Sequence, residues 1–277
     1  MKIDGHQHFW RYDAKEYGWI GEEMKALRRD FLPEHLKKEI ETAGIDGVVS
    51  VQARQIVDET RWLLDMAEEN EFIKGVVGWV ELALRGVGKE LERFASHPKL
   101  KGVRHVLQDE PANDLMDSDD FNAGIRMLGE FGLVYDILIF ERHLPQAIRF
   151  VDRHPNQPFV LDHIAKPLIK DRVLSPWREN LRELARRENV SCKISGMVTE
   201  ADRRKWKPSD FTPYIDTVME CFGARRVFVG SDWPVCTVAG SYSDVMGIVA
   251  TYIERLSPTE QTAIWGENAQ RIYRFGA

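Results

Sequence analysis

Lys2-Ile3-Asp4-Gly5-His6-Gln7-His8-Phe9-Trp10 opens the chain and reads as a short strand that ends in two histidines one residue apart. Side chains i and i+2 of a strand share a face, so His6 and His8 can aim at one point. Two imidazoles converging at a strand end suit a metal ion or an oxyanion. Ile3 and the Phe9-Trp10 pair give the segment the apolar flanks of a buried strand rather than those of a purification tag.

Outward from this segment, apolar β-rich runs alternate with helical patterns along the whole chain. A polar loop carrying Tyr12, Tyr17 and Trp19 is long enough to act as a lid. Pro33 then opens a helix that Gly44 stops. Further strands are expected at 47–52, 73–82, 100–106, 134–139, 159–163, 190–194 and 227–232. Helices are expected between them at 60–69, 88–96, 119–131, 144–153, 176–187 and 213–222, with two closing helices at 242–256 and 258–269. Eight strands with intervening helices predict an α/β fold of the (β/α)8 TIM-barrel kind. No GxGxxG follows an early strand, which leaves a doubly wound dinucleotide fold without support. No linker or break in composition divides the chain, so 1–277 reads as one domain.

Composition narrows the function. A chain of 277 residues with 43% hydrophobic content can build a full core, and eight Trp argue against disorder. A net charge of −6 argues against a nucleic-acid partner, which needs a clustered basic surface. Cys192, Cys221 and Cys236 make neither a disulfide framework nor a CxxC zinc site. No apolar run reaches membrane-spanning length and no signal-peptide core is present, so a soluble, cytoplasmic protein is expected.

Barrels of this kind carry their reactive residues at the C-terminal ends of the strands. Reading those ends in order gives His6 and His8, then Gln52 and Arg54, Trp79 and Glu81, Arg104, His105 and Gln108, His163 and Lys166, and Asp232. Asp232 has the strongest individual case, because Val-Phe-Val-Gly-Ser leads straight into it and Trp233-Pro234 then turns the chain. A carboxylate there can ligate a metal or take a proton from water. Arg104 suits a carboxylate or a polarised carbonyl, or else pairs with a neighbouring acid. His105 falls on the other face from Arg104. His35, His97, His143 and His154 fall in or near helices and polar turns, outside the constellation.

Asp4 to Trp10, Gly102-Val103-Arg104-His105-Val106-Leu107-Gln108, Asp162-His163-Ile164-Ala165-Lys166-Pro167 and Ser231-Asp232-Trp233-Pro234 together resemble the amidohydrolase-2 family. Gly266-Glu267-Asn268-Ala269-Gln270-Arg271-Ile272-Tyr273 resembles that family's C-terminal signature. The HQHFW opening and the DHxxKP segment look most like its sugar-lactonase branch, which includes L-fuconolactonase- and L-rhamnonolactonase-like enzymes. The resemblance implies an amidohydrolase-like barrel that hydrolyses an aldono-1,4- or 1,5-lactone to the open sugar acid. Binuclear relatives carry a bridging lysine at the end of strand four, whereas Lys101 begins that strand here, and no histidine ends strand five. His6, His8, His163 and Asp232 remain, enough for one divalent ion, zinc or manganese, with a position open to water; a metal-free mechanism is the alternative.

On this reading Asp232 is the general base, and Asp232 or His163 returns the proton to the leaving ring oxygen. Gln52, Arg54, Arg104, Gln108 and Lys166 are candidates to bind the substrate's polar groups, and Trp19, Trp79 or Trp233 to supply an apolar wall. Two rivals stand beside it: a metal-dependent decarboxylase of an aromatic or unsaturated acid, and a non-catalytic sugar-acid binding protein.

Overall fold

The computed structural model describes residues 1–110 and 115–276. Eight parallel strands form one sheet in chain order: β1 (Ile3–Gln7), β2 (Gly47–Val51), β3 (Ile73–Gly78), β4 (Leu100–His105), β5 (Val134–Ile137), β6 (Phe159–Leu161), β7 (Val190–Ile194) and β8 (Val227–Val229). The sheet curls until its edges meet just beyond the end of β8. There Gln7 bridges Trp233, the His8 N–H donates to the Trp233 carbonyl at 2.7 Å, and the Asp232 N–H donates to the His6 carbonyl at 2.8 Å. This is a (β/α)8 barrel.

The helices are α1 (Pro33–Ala43), α2 (Val57–Glu69), α3 (Gly88–Ala95), α4 (Asp119–Glu130), α5 (Leu144–Asp152), α6 (Trp177–Ala185), α7 (Met197–Glu200), α8 (Pro208–Phe222), α9 (Tyr242–Ile253), α10 (Pro258–Thr262) and α11 (Asn268–Ile272). Two apolar clusters fill the molecule. The larger lies between the strands and the helices. The smaller, built from Ile3, Val49, Val51, Val77, Val134, Val160 and Phe228, is joined by Ala269 and Tyr273 from the C-terminal segment. No described helix is long and apolar enough to cross a membrane.

Several boundaries differ from the sequence pattern, each for a local reason. Strand β3 ends at Gly78 rather than residue 82, because the Thr60 hydroxyl takes over the Trp79 N–H and C=O, both at 2.7 Å, removing them from the ladder. Helix α8 starts at Pro208, where Asp210 caps the Lys207 N–H, and Pro213 lies inside it. β6 stops at Leu161 and β8 at Val229, so His163 and Asp232 stand on the loops that follow. The loop expected as a lid is tied to the barrel: Tyr17 is buried, the Trp10 ring meets Trp19 and Phe31 edge-on and Tyr17 at a tilt, and the Trp10 indole N–H donates to Arg29 O at 2.9 Å.

Candidate active site

The strand ends bring four of the expected residues together. The Asp232 Oδ1 lies 3.4 Å from His8 Nε2 and 3.9 Å from both His6 Nε2 and His163 Nε2. His6 in β1 and His8 just beyond its end project to one side, as the alternation requires, with their Nε2 atoms 3.2 Å apart. His163 arrives differently. The chain leaves β6 through four consecutive residues, His163 to Lys166, with φ between 47° and 61°, a left-handed turn that non-glycine residues adopt at a cost of about 1–2 kcal/mol each. Trp177 holds it by donating its indole N–H to Ile164 O at 2.8 Å, and His163 Nδ1 meets Ser195 Oγ at 2.9 Å. Asp232 itself has φ 58°. Such strain collects where surrounding structure must aim a reactive side chain.

Gly196 makes room for this arrangement. Its φ is +63°, and a Cβ there would stand 2.6 Å from His163 Nδ1.

Electrostatics set the charge states. Burial alone would raise the Asp232 carboxyl, but His163, then His8 and His6, outweigh it and hold it well below the usual carboxylate range. Burial pushes His163 down to about 4 against the pull of Asp232, and it lowers His6 as well. At neutral pH the site therefore sets an ionised Asp232 carboxylate beside uncharged His6 and His163.

Behind His6 lies a buried set of charges. Lys193, fully enclosed on β7, places its ammonium 2.6 Å from Asp136 Oδ2, 3.0 Å from Asp162 Oδ1 and 3.2 Å from His6 Nδ1. The Tyr273 hydroxyl also reaches Asp136, at 2.8 Å. Arg104 Nη1 donates to Asp162 Oδ2 at 3.0 Å, while its Nε and Nη2 donate to Gln52 Oε1 at 2.8 and 2.7 Å. Burial drives both carboxyls up. At Asp136 it prevails over Lys193 and raises the group to about 6, whereas at Asp162 Lys193, His6 and Arg104 prevail and hold it low.

The donor set fits one divalent ion. Donors about 2.0–2.1 Å from a tetrahedral ion stand about 3.4 Å from one another, close to the 3.2 and 3.4 Å separations around His8 Nε2. The Val51 carbonyl accepts from His8 Nδ1 at 2.8 Å, so the proton sits on Nδ1 and Nε2 presents its lone pair. Asp162 Oδ1, ion-paired with Lys193 at 3.0 Å, also lies 3.4 Å from His6 Nδ1. It can take the Nδ1 proton in the tautomer that frees His6 Nε2.

Above the four residues opens a cleft of about 440 Å³ whose lining includes His8, Arg104, His163 and Asp232 together with Trp19, Gln108 and Lys166. The other four expected substrate contacts lie elsewhere. Gln52 is buried and spends both ends of its amide on Arg104 and the Arg54 carbonyl. Arg54 pairs with Glu16 at 2.8 Å and faces Glu59 at 3.5 Å. Trp79 is buried and donates to His105 Nδ1 at 3.2 Å, and Trp233 packs its ring against Phe9 and Phe31. His105 does face away from Arg104 and bonds Glu110 at 2.7 Å.

The profile of the Amidohydrolase family matches residues 3–275. The chain belongs to the amidohydrolase family. This amidohydrolase is 42% identical over 99% of its length to an L-fucono-1,5-lactonase from Burkholderia multivorans, spanning 96% of that protein. It is 35% identical over 99% of its length to an L-fucono-1,5-lactonase from Burkholderia ambifaria, again over 96% of the relative. A crystal structure of an amidohydrolase from Burkholderia multivorans with bound zinc superimposes with a TM-score of 0.96 at 42% identity, covering 99% of both chains.

Sequence reasoning passed over Lys193, Asp136 and Asp162 as parts of the site. A lysine inside the apolar run Val190-Ser191-Cys192-Lys193-Ile194 is the signal for the first, since a fully buried charge requires a partner.

Proposed function

We propose that this amidohydrolase opens sugar lactones of the aldono-1,5-lactone type to the corresponding aldonic acids. One observation carries the reading: an ionised Asp232 ringed by His6, His8 and His163 at the floor of a sugar-sized cleft, in a chain 42% identical to an L-fucono-1,5-lactonase. A lactone is an activated ester, so a proton acceptor and a stabilised oxyanion suffice for its hydrolysis.

Asp232 takes a proton from water as the water oxygen bonds to the lactone carbonyl carbon. Negative charge develops on the carbonyl oxygen, and the Lys166 ammonium in the cleft lining faces it. When the ring C–O bond breaks, Asp232 or His163 returns the proton to the leaving oxygen. Arg104 and Lys193 act from behind, fixing Asp162 and through it His6. His6, His8 and Asp232, with His163 alongside, would hold a divalent ion of the zinc class. Such an ion supplies Lewis-acid stabilisation of the charge on the carbonyl oxygen. Gln108 and Lys166 hydrogen-bond the sugar's polar groups. Leu138 and Phe140, also in the lining, offer an apolar surface suited to the methyl group of a deoxy sugar such as fucose.

A pH-indicator screen of aldonolactones, corrected for spontaneous ring opening and run with and without chelator, tests the assignment. Acid release from a 1,5-lactone is expected, weakened by chelator and restored by zinc. Asp232→Asn should lower kcat by about 10²–10⁴-fold with the unfolding midpoint held. No acid release from any lactone, or wild-type turnover by Asp232→Asn, would refute the reading.

A further inference from the structure

Apart from Asp232 itself and the exposed Asp109, which accepts from Gln108 Nε2 at 3.4 Å, the charged side chains around the cleft fall into two sets. Arg104 and Asp162 are bound to each other, and Arg54 is paired with Glu16. Lys166, Glu200 and Arg203 also line the cleft, yet their side chains make no hydrogen bond or ion pair among the described residues. Lys166 merely lies over the Phe140 ring, 5.4 Å from its centroid. Glu200 is half-buried, and burial raises its carboxyl against the pull of Lys166, as befits an acceptor short of donors. A fourth lining residue points the same way: Gln108 Oε1 is buried without a hydrogen-bond partner.

Barrel topology gives these groups a direction. Lys166 follows β6, and Glu200 and Arg203 follow β7, so they occupy the sector between His163 after β6 and Asp232 after β8. Leu138 and Phe140 follow β5 and form an apolar sector beside it. A lactone whose carbonyl sits at Asp232 extends its ring hydroxyls over the charged sector. Each hydroxyl has one proton to donate, and of the three unpaired charged groups only the carboxylate can accept it.

We propose that Glu200 is a specificity-determining residue of this enzyme, accepting hydrogen bonds from the ring hydroxyls of the lactone while Lys166 and Arg203 donate to hydroxyl oxygens. The proposal rests on the lactonase reading and names the group that separates a polyhydroxylated ring from a bare one. A hydrogen bond to a charged, half-buried acceptor discriminates strongly, because a substrate lacking the hydroxyl leaves that acceptor unpaired.

The test compares kcat/KM for L-fucono-1,5-lactone and for δ-valerolactone, the same ring without hydroxyls, in the wild type, Glu200→Gln and Glu200→Ala. The ratio of the two values should fall roughly 10- to 100-fold in both variants, mainly through KM for the sugar lactone. A ratio within about twofold of wild type overturns the proposal, whether the two activities stay the same or fall together. A wild-type protein that opens neither lactone overturns the hydrolase reading and this proposal with it. Near-UV circular dichroism of each variant shows whether the fold is kept, and Glu200→Gln preserves the side chain's shape if Glu200→Ala does not fold.

Discussion

Replacing Lys193 with Met removes one positive charge from the barrel interior and keeps most of the side-chain volume. In the wild type that ammonium sits 2.6 Å from Asp136 and 3.0 Å from Asp162, all three groups fully enclosed. Breaking a buried ion pair by deleting one partner costs about 3–5 kcal/mol, because the remaining charge is left uncompensated. Two carboxylates lose a partner here, so a loss near the upper end is expected at pH 8. The pH dependence carries a definite sign. Burial already raises both carboxyls, and Lys193 leads the interactions opposing it. Without the lysine, both folded-state pKa values move up, and Asp136, already raised to about 6, moves further above its unfolded value. A raised acid contributes stability that is present at low pH and lost as pH rises, so the penalty in Lys193→Met should shrink by about 1.4 kcal/mol for each additional pKa unit expressed between pH 8 and pH 5. Urea unfolding followed by tryptophan fluorescence at the two pH values measures it. The double variant Lys193→Met/Asp136→Asn should recover part of the loss. A loss below about 1 kcal/mol at pH 8, or an equal loss at both pH values, would refute the reasoning.

Other perturbations follow from the same geometry. Gly196→Ala places a methyl against the His163 ring at a position with φ +63°. It should cost about 2–4 kcal/mol and depress kcat, and a variant with wild-type melting temperature and turnover would contradict the packing described. Glu59 is buried on α2, accepts the Ala53 and Arg54 N–H groups, and is raised by burial from 4.5 to about 7. Its stabilising contribution is present below pH 4.5 and disappears as pH rises through 7. Glu59→Gln should therefore flatten the stability profile in that window by about 3 kcal/mol, read from urea midpoints at pH 5 and 8. His163, lowered to about 4 mainly by burial, stays uncharged well into mild acid. The kcat/KM profile should be level down to about pH 5 and fall below it; an acid limb centred at the ordinary histidine value would contradict that environment.

The barrel and the identity of its four convergent residues are legible in the sequence because both depend on local periodicity. Alternation puts His6 and His8 on one face, and the apolar runs ending in polar groups mark the strand ends. What stays hidden is which polar group faces the cleft. Gln52 follows β2 as a substrate contact would, but Arg104 from β4 and the Arg54 carbonyl engage its amide, a pairing across the barrel that no one-dimensional spacing encodes. Trp79 misses the cleft because Thr60 draws its backbone out of the sheet. Glu200 escapes notice from the opposite cause: it ends the short helix α7, where a glutamate is ordinary, and its standing apart from the surrounding ion pairs emerges only in three dimensions.

The seam where the barrel closes is also where Asp232 meets His6 and His8, and the two have one cause. Few hydrogen bonds join β1 to the segment after β8, and those running from Asp232 N–H to His6 O and from His8 N–H to Trp233 O belong to the reactive residues' own backbones. Two residues before His6 on β1, Asp4 accepts from Ser231 N at 2.8 Å, Ser231 Oγ at 2.6 Å and the Tyr242 hydroxyl at 3.1 Å. Burial, prevailing over those bonds, raises it to about 6. The separation of Asp232 from His6 and His8 is thus set by main-chain bonds that exist only when the barrel is shut. Gly230 lets the strands approach this closely, since a Cβ there would lie 2.6 Å from His6 Cβ. A chain with the seam open would keep every reactive side chain and lose the arrangement of all four. In this protein, therefore, closing the barrel and bringing Asp232 to His6 and His8 are one event.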